Sequence, residues 1–119
     1  MVVRLEGVSP PQSGQLAIDI KLSATINISA FAARQKVNGF VVDEISTNMH
    51  GAEPALIVGQ RLTWRVPLVL SIPPRGDLGA VGEIDVDVAT GELLYTRALI
   101  SEIQQRAREL AARPASQAN

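Results

Sequence analysis

The 119-residue chain contains no cysteine, which excludes disulfide bonds, thiol catalysis and thiolate metal sites. Aromatic residues make up only 3% of the chain, so its core must consist mainly of aliphatic side chains. The net charge is −1, with acidic and basic residues mixed, and this gives no long-range field to attract nucleic acid or an anionic membrane. No apolar run approaches the ~20 residues needed to cross a bilayer.

Length and composition predict one globular domain. We expect residues 1–113 to form this single α+β domain and residues 114–119 to be a disordered tail. The first residues lack the basic patch and apolar run of a signal peptide, so a cytoplasmic location is expected.

The N-terminal half predicts two strands and a helix. Alternation over residues 16–22 indicates a half-buried strand, with residues 2–5 as its short partner. From Ser29, a plausible N-cap, the apolar spacing becomes helical, and Gly39 within that helix suggests that another backbone passes close by. The helix should fade near Asn48 and be closed by His50 and Gly51. Its apolar stripe comprises Ala30, Ala33, Val37, Phe40, Val41 and Ile45.

The clearest pattern is an antiparallel strand pair between residues 61 and 88. One face of this pair should be dry and lie under the helix; it comprises Leu62, Trp64, Val66, Leu68, Ile84 and Val86. The loop length predicts Ile72 opposite Ala80, Val66 near Val86 and Arg65 near Asp87. Because proline cannot donate to a ladder, one side of the first strand should be open or bulged at Pro67. The outward face offers a possible interaction surface made of Arg65, Pro67, Asp85 and Asp87.

Three features of the sequence could indicate a binding or catalytic site. Gly76, Gly79 and Gly82 lead into a strand rather than a helix, so they indicate a flexible connection and not a phosphate-binding loop. The carboxylates at 83, 85 and 87 could attract a hard cation, but they lack a ligand loop, and a solvated face balanced by Arg65 is the better interpretation. His50 has no adjacent nucleophile or orienting acid, which favours a helix-end or loop role. We therefore predict no catalytic, cofactor-binding or metal-binding residue.

A final helix should start near Thr96 and end at Arg113 and Pro114. Its apolar stripe is narrow, and its arginines are interspersed with Glu102 and Glu109, so nucleic-acid binding is not expected. The stripe comprises Leu99, Ile103, Ala107 and Leu110.

Residues 86–92 (VDVATGE), preceded by residues 64–67 (WRVP), resemble the closing strand and turn of PepSY-like domains. Residues 32–44 are also similar to a family of small uncharacterised bacterial proteins of about 120 residues. The PepSY resemblance implies a helix packed on an antiparallel β-meander, here with an extra N-terminal strand and a C-terminal helix. PepSY domains are usually exported and associated with restraining peptidases, whereas this chain shows no export signal.

These features predict a non-catalytic binding or regulatory module without a cofactor, acting through protein–protein contacts. An open strand edge is commonly covered by a second copy, so we expect a homodimer and neither a nucleic-acid nor a membrane partner. The alternative is a small-ligand carrier with a pocket between the first helix and the row from Leu62 to Ile72. A hydrolase using the carboxylate face, and a protein that neutralises the product of a neighbouring gene, are further hypotheses.

Overall fold

The computed structural model describes residues 2–7, 13–17 and 23–114. Most of the strand predicted over residues 16–22, and the tail after Pro114, lie outside the described residues. The fold is α+β, as predicted. It comprises strands β1 (Val2–Leu5), β2 (Met49–Gly51), β3 (Ala55–Val58), β4 (Leu62–Ile72), β5 (Gly76–Asp87) and β6 (Leu93–Leu94), and helices α1 (Ala30–Glu44) and α2 (Arg97–Ala111).

The strands form one open sheet in the order β1-β3-β4-β5-β6, with β2 also paired to β4. The central strands β3, β4 and β5 form the expected antiparallel meander. The strand predicted at residues 2–5 is present, but it pairs in parallel with β3. The described residues therefore place β1 and β6 at the two ends of the sheet order.

Helix α1 begins as predicted, because the Ser29 hydroxyl accepts a hydrogen bond from the Ala32 amide (3.1 Å). It ends at Glu44, earlier than expected, and the following chain forms β2. The prediction that His50 and Gly51 form a closing turn or loop is therefore wrong. The interpretation of Gly39 is wrong too, because a Cβ built there would meet no described atom within 4 Å beyond the adjacent backbone of its own helix.

Helix α1 also covers the outer edge of β2. Asn38 accepts the Gly51 N–H (2.6 Å) and Arg34 donates to the Gly51 carbonyl (2.8 Å), so two side chains one turn apart satisfy a strand edge. Any side chain at Gly51 would clash, because its Cβ would lie 2.8 Å from Val66 Cγ1. The same Cβ would lie 3.2 Å from Asn38 Oδ1, so this glycine also allows α1 to approach β2.

Strand β4 pairs with β5 two residues away from the predicted register as far as Leu68. Two register shifts, after Leu68 and after Leu70, then place Ile72 opposite Gly76, four residues away from the predicted Ala80. Val66 lies opposite Ile84 and Arg65 opposite Asp85, because β5 begins at Gly76, immediately after a tight turn. The glycines at 76, 79 and 82 therefore belong to β5 and do not form a flexible connection. A Cβ at Gly82 would lie 2.7 Å from Ile103 Cγ1, so this glycine allows α2 to approach the strand. Because an even shift preserves the faces of a strand, the assignment of dry and outward faces survives.

The core lies between the sheet and the two helices, as the faces predicted. Trp64 is buried there, and its indole N–H donates to the carbonyl of Ile28 (2.8 Å). Of the predicted dry residues, Leu62 alone is only partly buried. The residues buried in this core from the two helices and the two long strands are Ala33, Val37, Val41, Trp64, Val66, Leu68, Leu70, Val81, Ile84, Val86, Ile103 and Ala107.

Pro67 sits where the pairing of β4 changes partner. Strand β3 pairs with β4 as far as Arg65, and β2 pairs from Leu68, so the missing N–H falls in the gap. The Pro67 carbonyl still accepts a hydrogen bond from the Ala52 amide (2.8 Å). The predicted interruption of the ladder at Pro67 is confirmed.

Candidate functional site

Arg65 lies at the centre of a charged cluster on the sheet face away from the helices. Its guanidinium donates two parallel hydrogen bonds to Asp85 (2.9 and 3.0 Å) and a third to Glu6 (2.6 Å), and Glu83 lies 3.5 Å away. The hydrogen bond to Asp85 is the main cause that raises the pKa of Arg65 above its ordinary value. The register creates this cluster, since it places Arg65 directly opposite Asp85. The cluster ties the end of β1 to β4 and β5.

Asp87 shares the outward face by register but is only 8% exposed. Its carboxylate accepts the backbone N–H groups of Ala89 (2.8 Å) and Thr90 (2.9 Å), and Arg61 lies 3.5 Å away. The hydrogen bond from the Thr90 N–H contributes most to lowering the pKa of Asp87. The hydrogen bond from the Ala89 N–H and the charge of Arg61 lower this pKa further. Asp87 therefore holds the turn between β5 and β6, and it is not the outward contact residue that was predicted.

The predicted interaction surface is thus largely paired within the chain. Arg65 and Asp85 are bound to each other, Asp87 is committed to a turn, and Pro67 is half-buried. In residues 2–7, 13–17 and 23–114, no group of three or more histidine or acidic side chains is arranged to hold a metal ion. His50 lies on β2 opposite Val69, away from these carboxylates in the sheet order.

One cleft lies beside the edge strand β6 on the helix side, and a second cleft reaches β6 from the opposite face of the sheet. The aromatic cleft, about 690 Å³, lies on the helix side and is lined by Lys36, Phe40, Glu92, Leu93 and Tyr95. Its Phe40 and Tyr95 rings contact each other, with centroids 4.5 Å apart. The polar cleft, about 410 Å³, lies on the other face and extends from the end of β1 across β3 and β4 to Leu94 of β6. It is lined by Glu6, Gly7, Ile57, Gly59, Gln60, Arg61, Thr63, Asp85 and Leu94.

A third cleft of about 420 Å³ straddles β6 itself and is lined by residues 92–96 and Leu99. Three clefts therefore meet at this two-residue strand. Neither strand β6 nor a role for Tyr95 was predicted from the sequence. The short apolar run Leu93-Leu94-Tyr95, directly after the Thr90-Gly91-Glu92 turn, was the available signal for a returning edge strand.

Side chains fill the layer between α1 and the sheet. The alternative prediction of a small-ligand carrier placed its pocket in this layer. Val37, Val41, Val66 and Leu68 are completely buried in it. A groove of about 350 Å³ lies instead at the far end of the sheet, where the end of α1 approaches α2, and Met49 and Leu70 form its floor. The clefts described here all lie at the margins of the core.

The opposite edge of the sheet is formed by β1, every residue of which is exposed. Val2 and Val3 are 51% and 50% exposed, and Leu5 is 38% exposed. Within the part of the chain that the structure describes, β1 pairs with β3 alone. This edge combines unpaired backbone groups with three large apolar side chains, which is the pattern of a strand that pairs with another chain.

No family model matches the chain, and no characterised protein or solved structure is significantly similar to it. The resemblance to PepSY-like domains therefore stays a prediction, and the α+β fold with its mostly antiparallel sheet is what the structure establishes. None of the helices in the described residues is long and apolar enough to span a membrane.

Proposed function

We propose that the protein is a non-catalytic binding module that acts through protein–protein contacts, and that its first partner is a second copy of itself. The observation that carries this proposal is the exposed apolar edge strand β1. Long-lived exposure of such an edge favours aggregation, and pairing with an identical edge removes it in a closed, symmetric dimer.

The ladder between β1 and β3 indicates which backbone groups are available for this pairing. The Glu6 N–H donates to the Val58 carbonyl (3.0 Å), so the even-numbered residues direct their backbone groups toward β3. Backbone groups alternate in direction along a strand, so those of Val3 and Leu5 point outward. An antiparallel pair of β1 strands must then place odd residues opposite odd residues, which puts the helices of both copies on the same side of a continuous sheet.

Charge selects among the registers that satisfy this rule. Pairing centred on Arg4 would set the two Arg4 side chains directly opposite each other, which is destabilising. Pairing centred on Leu5 sets Arg4 of each copy opposite Glu6 of the other, which is favourable. We therefore place Leu5 on the dimer axis, with the carboxylate of Glu6 shared between Arg65 in its own chain and Arg4 of the second copy.

A single engineered cysteine tests this arrangement, because the chain has no cysteine of its own. Leu5→Cys should form a disulfide-linked dimer under mild oxidation, since paired Cα atoms in this position lie about 5.5 Å apart. Val42→Cys is the matched control, because Val42 is 48% exposed but lies on the outer face of α1. Equal cross-linking of the two variants, or none at Leu5→Cys, would contradict the proposed dimer axis.

A further inference from the structure

Among the described residues, the edge strand β6 pairs with β5 alone, so its outer backbone groups have no partner strand there. The Asp87 N–H donates to the Glu92 carbonyl (2.8 Å), so residues 87 and 92 form a hydrogen-bonded pair. Because such pairs alternate along an antiparallel ladder, Val86 and Leu93 form a non-hydrogen-bonded pair. The N–H and C=O of Leu93 therefore point away from β5, toward the outer edge of the sheet.

The two side chains of β6 point to opposite faces of the sheet, and each lines a different cleft. Leu93 lies opposite Val86, on the helix side, and lines the aromatic cleft. Leu94 lies opposite Asp85, on the other side, and lines the polar cleft. A strand added to this edge would send alternate side chains to the two faces, into the aromatic cleft on one face and past Leu94 toward the polar cleft on the other. This is the geometry of peptide recognition by strand addition.

From this geometry we propose that β6 is a second binding site, which recognises an extended segment of a partner protein. This site deepens the proposed function by naming a partner class. Strand β6 lies at the opposite end of the sheet order from the β1 dimer edge, and the polar cleft extends from Leu94 to Glu6 and Gly7 at the end of β1. The apolar lining that Phe40, Leu93 and Tyr95 give the aromatic cleft fits a large apolar or aromatic side chain of the peptide.

The charge of the polar cleft indicates which type of peptide residue should lie next to the apolar or aromatic one. The two carboxylates that line this cleft, Asp85 and Glu6, both accept hydrogen bonds from Arg65. Arg61 is more than half exposed and contacts Asp87 only at 3.5 Å, so its guanidinium can donate to another carboxylate. The recognised segment should therefore place an acidic residue beside its apolar or aromatic residue.

Selection from a random peptide display library on the immobilised full-length chain tests this site. Enriched peptides should combine an apolar or aromatic residue with an adjacent acidic one. Synthetic copies should bind Tyr95→Ala at least tenfold more weakly than the unmodified protein. Phe31→Ala is the matched control, because Phe31 is also an exposed aromatic residue but lies on α1, outside the lining of the aromatic cleft, and binding to it should be unchanged.

Two further measurements distinguish strand addition from simple adhesion. Arg61→Glu should change the selected preference from acidic to basic residues, and peptide binding should slow hydrogen exchange at the Leu93 amide. The proposal is overturned if no peptide is enriched, or if the enriched peptides bind Tyr95→Ala and Arg61→Glu as tightly as the unmodified protein. If the peptides bind Val3→Lys more weakly instead, the binding site is β1 and the proposal for β6 is wrong. Circular dichroism of each variant verifies that it is folded.

Discussion

Replacing Trp64 by alanine tests the packing of α1 against the sheet. Trp64 is buried between α1 and the sheet, and its indole N–H donates to the carbonyl of Ile28. A buried tryptophan removes about 200 Å² from water, which at ~25 cal/mol per Å² corresponds to about 5 kcal/mol. Because alanine retains part of that burial, we expect Trp64→Ala to lower the free energy of unfolding by ~3–5 kcal/mol, as other large core truncations do.

Urea unfolding followed by far-ultraviolet circular dichroism measures this change, since the variant lacks the only tryptophan. The midpoint should fall with an unchanged slope. Trp64→Phe, which keeps a ring but loses the hydrogen bond, should cost about 1–2 kcal/mol. Phe31→Ala, at a 70% exposed position, serves as the control and should change stability by less than about 0.5 kcal/mol. A loss below about 1 kcal/mol for Trp64→Ala would refute the assignment of the two sheet faces.

Gly39→Ala should raise the free energy of unfolding by about 0.5–1 kcal/mol, because the new methyl group meets no described atom within 4 Å beyond the adjacent backbone of its own helix and alanine favours the helix; a lower urea midpoint would contradict this. The effect of Asp87→Asn on Tm should depend on pH. The lowered pKa of Asp87 means that its ionised form stabilises the fold above the unfolded-state pKa near 4, and that this contribution disappears as pH falls through the lower folded-state value. The difference in Tm between the unmodified protein and Asp87→Asn should therefore be constant from pH 7 to 5 and shrink below pH 4, whereas a difference independent of pH down to 3 would show that the charge of Asp87 is not involved.

Alternation and helical spacing predicted the parts of this fold that depend on one periodic face. The two helices, the faces of β4 and β5 and the N-cap at Ser29 all follow from local pattern. The register of β4 against β5 did not follow, because it depends on the turn at residues 73–75 and on two register shifts, after Leu68 and after Leu70, that no alternation pattern predicts. Strand β2 was missed because three residues that end in glycine carry no alternation of their own.

The candidate site was predictable only in part. Sequence patterning placed Arg65, Asp85 and Asp87 on one face, which the register confirms. It could not show that Asp87 is satisfied by two backbone N–H groups, nor that Glu6 reaches Arg65, because both contacts arise from how the chain returns after a turn or a long separation. The clefts around β6 also require Phe40 and Tyr95 to meet, and these residues are brought together only by the packing of α1 beside the sheet.

The most direct test of the binding role is the mass of the intact protein in solution, measured by light scattering at tens of micromolar. The unmodified chain and Val42→Lys should both have twice the monomer mass, because Val42 lies outside the β1 edge. Val3→Lys, which places a charge on that edge, should have the monomer mass. A monomeric unmodified protein, or a Val3→Lys variant that remains dimeric, would contradict the account of β1 as the surface on which two copies meet.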